Sequence, residues 1–504
     1  GAPSEFGIAS NSYDRYELAV SHTDPNKIYA GIVKTFGSPG PSFLYRSLDG
    51  GSSWTHIPEN GVSGDARYTT DFWLDSQGWY DNCITVHPFD DNIVYVGGIQ
   101  IFKFTVLADT TKNSTHLTDG YGEVDAKNWY VHVDQHFLGT IDDGGGKFRI
   151  LNGSDGGVAV TLSATDPGNI DNTWANVKNI TAGGYNTTQF YGADKVKGAH
   201  AYVGGAQDNG TWFSDPASNA SSSTSYTLGV GGDGLEVVAH WDNSDSLIGG
   251  SQYNNFKRTL NKGTLWTYIG TPWAPHNGSG TGPFINRLSS SYQDADVVYA
   301  IGDDGIHKSK DFGGGWQLKV PPDIGGWDAS DVEVSMANPR FVWAGGFISG
   351  SGNLYLSKDW GNTFQAVVDK PSGVSSSISG IYSHPSEDST VYVLFSSFGR
   401  GKIFETKDLG ATWTDISGFP SNWTSGVSSS GFPNVAVTSL AVMPFDSDVI
   451  WAGTEIGLVE TTNRGTSWSL VTQMPHVSIW DMKIKDQGEI VLATHGRGIW
   501  TATI

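Results

Sequence analysis

The sequence predicts an all-β chain in which a unit of about four strands repeats ten times and closes into one ring of blades. Three observations carry this expectation. Charged residues fill only 16% of the 504 positions while glycine takes 66, a balance that suits many tight turns and disfavours long helices, which draw on Ala, Glu, Lys and Leu. Short segments alternate apolar and polar residues with the strand period, as at Ile84, Val86, Val94 and Val96. One turn recurs: a hydroxyl residue, any residue, Asp or Asn, any residue, Gly, two more, then an aromatic.

That turn appears at Ser47–Trp54, Ser309–Trp316, Ser357–Phe364 and Thr406–Trp413, and with Asn at Thr259–Trp266 and Thr461–Trp468. Asp or Asn can bond its own backbone two residues on, and glycine accepts positive φ. The aromatic then returns to the core as a peg. Each copy follows one strand and precedes another, so the copies set the register of the larger repeat.

Units are expected at residues 16–57, 82–130, 132–178, 186–230, 235–269, 284–320, 328–368, 378–416, 437–472 and 477–503, within a single domain spanning 1–504. A period of about 40–60 residues with four strands reads as a propeller or a solenoid. A solenoid needs polar caps, whereas the strand-like FGIAS near the start and GRGIWTATI at the end carry none. Closure is therefore preferred, as one ten-bladed ring rather than two propellers or a seven-bladed ring with a partner domain.

A net charge of −22 with a pI near 4.8 repels a phosphate backbone and argues against nucleic acid. Neutral polysaccharide, a basic partner or a divalent cation is compatible. The single Cys83 excludes a disulfide framework and any multi-cysteine metal site. No run of about 18 apolar residues exists to span a membrane. Low charge, abundant Asn and Trp and one cysteine lead to the expectation of a secreted, extracellular monomer.

The recurring turns and the phrase HPxxxxxVYxG resemble the Asp-box (BNR) repeat β-propeller proteins of the xyloglucanase and sortilin type, over most of residues 16–504. The resemblance implies a propeller and, for activity, either glycoside hydrolysis or ligand binding. The xyloglucanases carry one catalytic Asp in each of two seven-bladed domains, so no catalytic residue transfers by position. The arginine clamp of sialidases cannot be assembled here.

In such a ring the start of each innermost strand, and the turn between second and third strands, open on one face. The first place holds Asp81 and Asn82, then His132, Asp134 and His136, then Asp233 and Glu236, Asp328 and Asp331, and Trp480 and Asp481. The second place holds Gln100, Asp155, Gln207 with Asp208, Gln252, Asp303 with Asp304, Glu455 and His495. His132, Asp134 and His136 at alternate strand positions would share a face. They could bind a divalent metal through His132 and His136, run acid–base chemistry, or form a polar channel lining. Glycoside cleavage needs two carboxylates, and Asp81, Asp134, Asp155, Asp208, Asp233 and Asp303 are candidates; each could equally be an Asx turn. In a hydrolase Asp134 is expected as general acid, tuned by His132, with Asp208 or Asp81 as base and Asp233 nearby. Trp73, Trp79 and Trp129, with Gln207, are expected to bind sugar. No cofactor is expected beyond a possible Ca²⁺ or other divalent metal. The function expected is hydrolysis of a neutral β-linked, xyloglucan- or β-glucan-like polysaccharide by paired carboxylates; the alternative is a non-catalytic, sortilin-like propeller that binds a glycan or protein ligand.

Overall fold

The computed structural model describes residues 13–34, 42–59, 73–74, 77–121, 130–168, 174–176, 187–221, 224–269, 282–302, 304–320, 329–348, 354–420, 422–485 and 488–504. These residues hold 39 strands and no helix, so the all-β expectation stands. No helix among them is long and apolar enough to cross a membrane.

The chain divides into two compact units, Gly1–Asn186 and Thr187–Ile504. The first unit carries three four-stranded sheets of consecutive antiparallel strands. In chain order these sheets open with Tyr13–Val20, Cys83–Val86 and Gln135–Gly144. Val86, Val94, Val96, Phe102 and Phe104 of the second sheet pack on Tyr29, Val33 and Leu44 of the first, with Trp73 between them. The second unit carries six sheets, opening with Phe190–Lys195 and ending on the three-stranded sheet Ser478–Lys485, Glu489–His495 and Gly498–Thr503. Within that unit the opening sheet packs on the last: Phe190, Ala193, Tyr202 and Ala206 lie against Val491 and Ala493.

Two expectations are corrected. Among the described residues the strands form nine separate sheets in two units and no sheet closes on itself, so the ten-bladed ring is not what the chain forms. The segments expected as separate blades at 328–368 and 378–416 share one eight-stranded sheet. The cause is the seven-residue strand Val342–Ile348, whose far end pairs Phe347 with Ser377 and Ile348 with Ser376. The expectation of a closed Asp-box propeller, sortilin-like included, falls with the ring.

The recurring turn keeps its local geometry. In the first copy Ser47 Oγ donates to Asp49 Oδ1 at 2.8 Å and accepts from the Gly51 amide at 2.8 Å, while Asp49 accepts from the Ser53 amide at 2.8 Å. The same bonds recur around Asp311, Asp359 and Asp408, and around Asn261 and Asn463. Besides the glycine, the residue before it is left-handed, at Lys262, Phe312, Trp360, Leu409 and Arg464, and Gly50 in the first copy. The glycine also brings the turn onto the preceding sheet: a Cβ on Gly263 would sit 2.0 Å from a Phe213 ring atom, and one on Gly361 2.6 Å from Tyr299. The pegs divide. Trp316, Phe364 and Trp468 are buried, whereas Trp54, Trp266 and Trp413 are half-buried.

Candidate functional site

Three carboxyl groups of the first unit, all candidates from the sequence, meet: Asp81, Asp134 and Asp155. Asp81 ends a tight turn in which the amides of Tyr80 and Asp81 both bond the Gln77 carbonyl. The turn needs Gly78, because a Cβ there would lie 2.7 Å from Leu74 and 2.8 Å from Val33. Arg15 pins the turn's exit through the carbonyls of Tyr80 and Asn82. Asp134 precedes the strand Gln135–Gly144 and is left-handed at φ 64. Its amide donates to the Ile99 carbonyl at 3.2 Å, and its carbonyl accepts from the Asp155 amide at 3.3 Å. Asp155 sits in the hairpin turn between Lys147–Ser154 and Gly157–Thr161.

Asp134 and Asp155 carry oxygens within 4.8 Å of each other, a gap that one divalent cation can bridge. Asp155 accepts from Tyr80 Oη at 2.9 Å and contacts His136 Nε2 at 2.8 Å. Asp134 accepts from Gln77 Nε2 at 3.1 Å. Asp81 is fully buried, and neither of its oxygens has a hydrogen-bond donor. Its neighbour is the Asp134 carboxyl. Two carboxyl groups side by side satisfy each other only if one carries a proton and donates it. Burial first, and the Asp134 charge second, push the Asp81 carboxyl up to about 9. Burial, with Asp155 behind it, also raises Asp134.

The expected shared face of His132, Asp134 and His136 does not form as drawn. The left-handed Asp134 lies outside the strand, so the side chains do not alternate. His132 turns Nδ1 to the Val133 carbonyl at 3.1 Å, under Gly156, where a Cβ would lie 2.2 Å from its own. His136 is exposed and paired with Asp155. The two imidazoles expected as metal ligands are thus each engaged elsewhere, and the oxygens that can hold a divalent cation belong to carboxylates.

Other expected site residues go different ways. Trp73 is 2% exposed and packs edge-on to Phe104 at 5.8 Å, so no sugar face reaches it. Trp79 is 46% exposed and tilts against Tyr80, whose ring meets His136 edge-on at 4.8 Å. Trp129, Asp303 and Asp328 lie outside the described residues. Asp208 and Asp233 belong to the second unit, where the Asp208 amide donates to Asp233 Oδ1 at 3.0 Å and Gln207 accepts from Tyr191 Oη at 2.9 Å. Gln77 was missed; its signal was position, in the turn leading to Asp81.

The second unit brings Glu236, Asp331 and Asp481 to the wall of one pocket, with Arg287, Glu333 and Lys483, which sequence reasoning did not single out. Asp331 and Asp481 follow bulges at Ala329/Asp331 and Ile479/Asp481, which re-aim a side chain. Lys483 Nζ bonds Glu236 at 2.6 Å and Asp481 at 3.2 Å. Asp331 takes the amides of Val332 and Ile381, and Glu333 takes Ser383 and Ser289. Burial lifts Asp331 to about 6 and Glu333 to about 7. Alternating charges in SIWDMKIK, at Asp481, Lys483 and Lys485, are the signal that could have found this network.

No protein-family model and no curated protein matches the chain. Solved structures do. An ancestral GH74 enzyme aligns with 13% identity over 98% of this chain and 72% of that one, with a TM-score of 0.56. The chain is similar in fold to a GH74 enzyme. The GH74 xyloglucanase from Xanthomonas campestris aligns with 16% identity, 98% and 59% coverage and a TM-score of 0.45. The Niastella koreensis GH74 enzyme aligns with 15% identity, 97% and 59% coverage and a TM-score of 0.42. This chain spans 59% of the length of those two. At such identities the likeness is one of fold.

Proposed function

We propose that the protein is an exported glycoside hydrolase acting on a neutral, β-linked polysaccharide of the xyloglucan or β-glucan kind. The observation that carries this reading is the raised carboxyl of Asp134 within 4.8 Å of Asp155, beside the exposed ring of Trp79. A general acid must hold its proton at working pH, and the surroundings of Asp134 favour the protonated form. The fold likeness to GH74 enzymes and the acidic surface support the reading.

Retaining cleavage places its two carboxyl groups about 5–5.5 Å apart, inverting cleavage about 6.5–9.5 Å. The short separation favours retention. An Asp155 oxygen attacks the anomeric carbon, the bond to the leaving oxygen breaks, and the Asp134 proton passes to that oxygen. Asp134 then takes a proton from water, whose oxygen displaces Asp155. Asp81 touches no substrate, being fully buried; it positions Asp134. Tyr80 and His136 hold Asp155, and Trp79 offers a face for a sugar ring.

A reducing-end assay over a panel of neutral β-glucans tests this. Asp134→Asn should lower turnover at least about 100-fold with circular dichroism unchanged, and the first-formed anomer, read by NMR, should retain configuration. Full activity in that variant removes Asp134 from the chemistry. Silence across the panel together with tight glycan retention favours the non-catalytic binder.

A further inference from the structure

Arg287 stands in the pocket of the second unit without a matched partner. Elsewhere in that unit the buried ion pairs are close: Asp194 meets Lys485 at 2.9 Å and Glu405 meets Arg464 at 2.7 Å. In the pocket itself, Lys483 uses its three protons on Glu236 at 2.6 Å, the Val237 carbonyl at 2.7 Å and Asp481 at 3.2 Å. The Arg287 side chain is only 13% exposed, and among the described residues its one polar contact is Glu236 Oε2, 3.5 Å from Nη1. A guanidinium carries five N–H donors in a fixed fork, and leaving them unpaired under cover is unfavourable. Tyr292, on the same wall, also has no hydrogen-bond partner for its hydroxyl among the described residues. Acceptors are open beside these donors. Each Asp331 oxygen takes one amide, from Val332 at 2.9 Å and from Ile381 at 2.7 Å, and keeps a lone pair. Asp481 accepts through Oδ2 alone, from the Ala193 amide and Lys483.

We propose that this pocket binds one neutral sugar ring, with Arg287 and Tyr292 donating to its hydroxyls and Asp331 and Asp481 accepting from them. Charge selects the ligand class. A carboxylate entering the pocket would meet Glu236, Asp331, Glu333 and Asp481, and an ammonium would meet Arg287 and Lys483. A hydroxyl both donates and accepts, so a neutral polyol satisfies both sets and opposes neither. Tyr292, Tyr382, Met336 and Pro385 are half-buried on the wall and add apolar surface for the C–H face of a ring. The strands Leu288–Ser290, Ala329–Val334, Ser376–Ser383, Val437–Val442 and Ser478–Lys485 all contribute lining residues, so the polar groups sit on rigid elements. The choice of a sugar among neutral polyols rests on the glycan reading above; the site itself lies in the second unit and uses none of the hydrolytic residues named there.

Monosaccharides hold no glycosidic bond, so they test the pocket without reference to hydrolysis. Full-length protein is titrated with glucose, xylose and galactose, followed by calorimetry and by ligand-observed NMR. At least one should bind saturably at a single site, with glucuronate and glucosamine at least about tenfold weaker. Arg287→Lys keeps the charge and loses the fork, and should weaken binding at least about tenfold; Tyr292→Phe keeps the ring and should weaken it about threefold. Should Arg287→Lys fail to fold, Tyr292→Phe carries the test. Displacement by a β-gluco-oligosaccharide shows that a chain end enters, and its absence restricts the site to free sugar; both support the pocket. Absence of saturable binding overturns it, as does binding that both variants leave unchanged. Tighter binding of glucuronate or of glucosamine overturns it in favour of an anion or a cation site. Binding lost in Trp79→Ala but indifferent to Arg287→Lys assigns the sugar to the first unit and overturns it too. Hydrolysis of a β-glucan with no monosaccharide bound refutes the pocket alone, and a bound monosaccharide without hydrolysis leaves the pocket standing.

Discussion

Replacing Asp81 by Asn should stabilise the protein, and more so as pH rises. The folded chain keeps the Asp81 proton up to about pH 9, while an unfolded Asp loses it near 3.8. Burial is the larger cause and the Asp134 charge the second. Between those values the folded state binds the extra proton, so stability is fully present below about pH 4 and is lost as pH rises toward 9. Each pH unit above the unfolded pKa costs about 1.4 kcal/mol, which makes roughly 4 kcal/mol at pH 7 as an upper bound. Asparagine keeps the shape, is neutral in both states, and can donate to Asp134, so it removes that cost. For a unit of this size, about 4 kcal/mol corresponds to roughly 8–16 °C in the melting temperature. The assay is a melting series from pH 4 to 9 in the presence of a chelator, wild type against Asp81→Asn. The two curves should meet near pH 4 and separate steadily toward pH 8, with the variant higher. A gap that is flat with pH, or one that opens toward acid, refutes the shared-proton account of the cluster.

Gly263→Ala should cost roughly 2–5 kcal/mol, because its φ of 81 is left-handed and its Cβ would lie 2.0 Å from Phe213; an unmoved unfolding midpoint would show the turn can shift. Lys262, beside it, is also left-handed at φ 58 with an exposed side chain, so Lys262→Gly should stabilise by up to about 1 kcal/mol, read by the same melt. Trp316→Ala should cost about 3–5 kcal/mol and Trp54→Ala visibly less, since only the first is buried; equal losses would contradict that ordering. On the acid side, hydrogen bonds from Ser53 and Ser47 hold Asp49 down to about 2, and Asp359 and Asp408 are also lowered. The turns should therefore lose stability as pH falls from about 4 toward 2, and an acid melt without such a transition would show that they carry none.

The turn chemistry was legible because it is local. Ser47, Asp49 and Gly51 lie within a few residues of one another, and their bonds follow from spacing alone. The left-handed residue before each glycine was not legible: Leu409, Phe312 and Lys262 share no side-chain chemistry, and only the backbone path imposes the conformation. Repeat register placed Glu236, Asp331 and Asp481 at equivalent strand starts, and the tertiary structure gathers them around one pocket. The strand alternation expected of His132, Asp134 and His136 failed, because left-handed Asp134 interrupts the period and His132 and His136 turn to different partners. Trp73 read as a loop aromatic and lies in a core, because burial depends on which neighbouring sheet closes over it.

Taken by itself, the chain determined an all-β fold, the positions of its recurring turns, and an acidic chemistry with no room for cysteine sites. Those properties are set by short-range bonds and by composition, which residue order encodes directly. Tertiary structure alone decided that the sheets divide into two units, that Val342–Ile348 joins two repeats into one sheet, and that Asp81 faces Asp134 and Asp155. Each of these depends on contacts between residues far apart in the chain, where a shift of one residue or one left-handed φ changes which side chains meet.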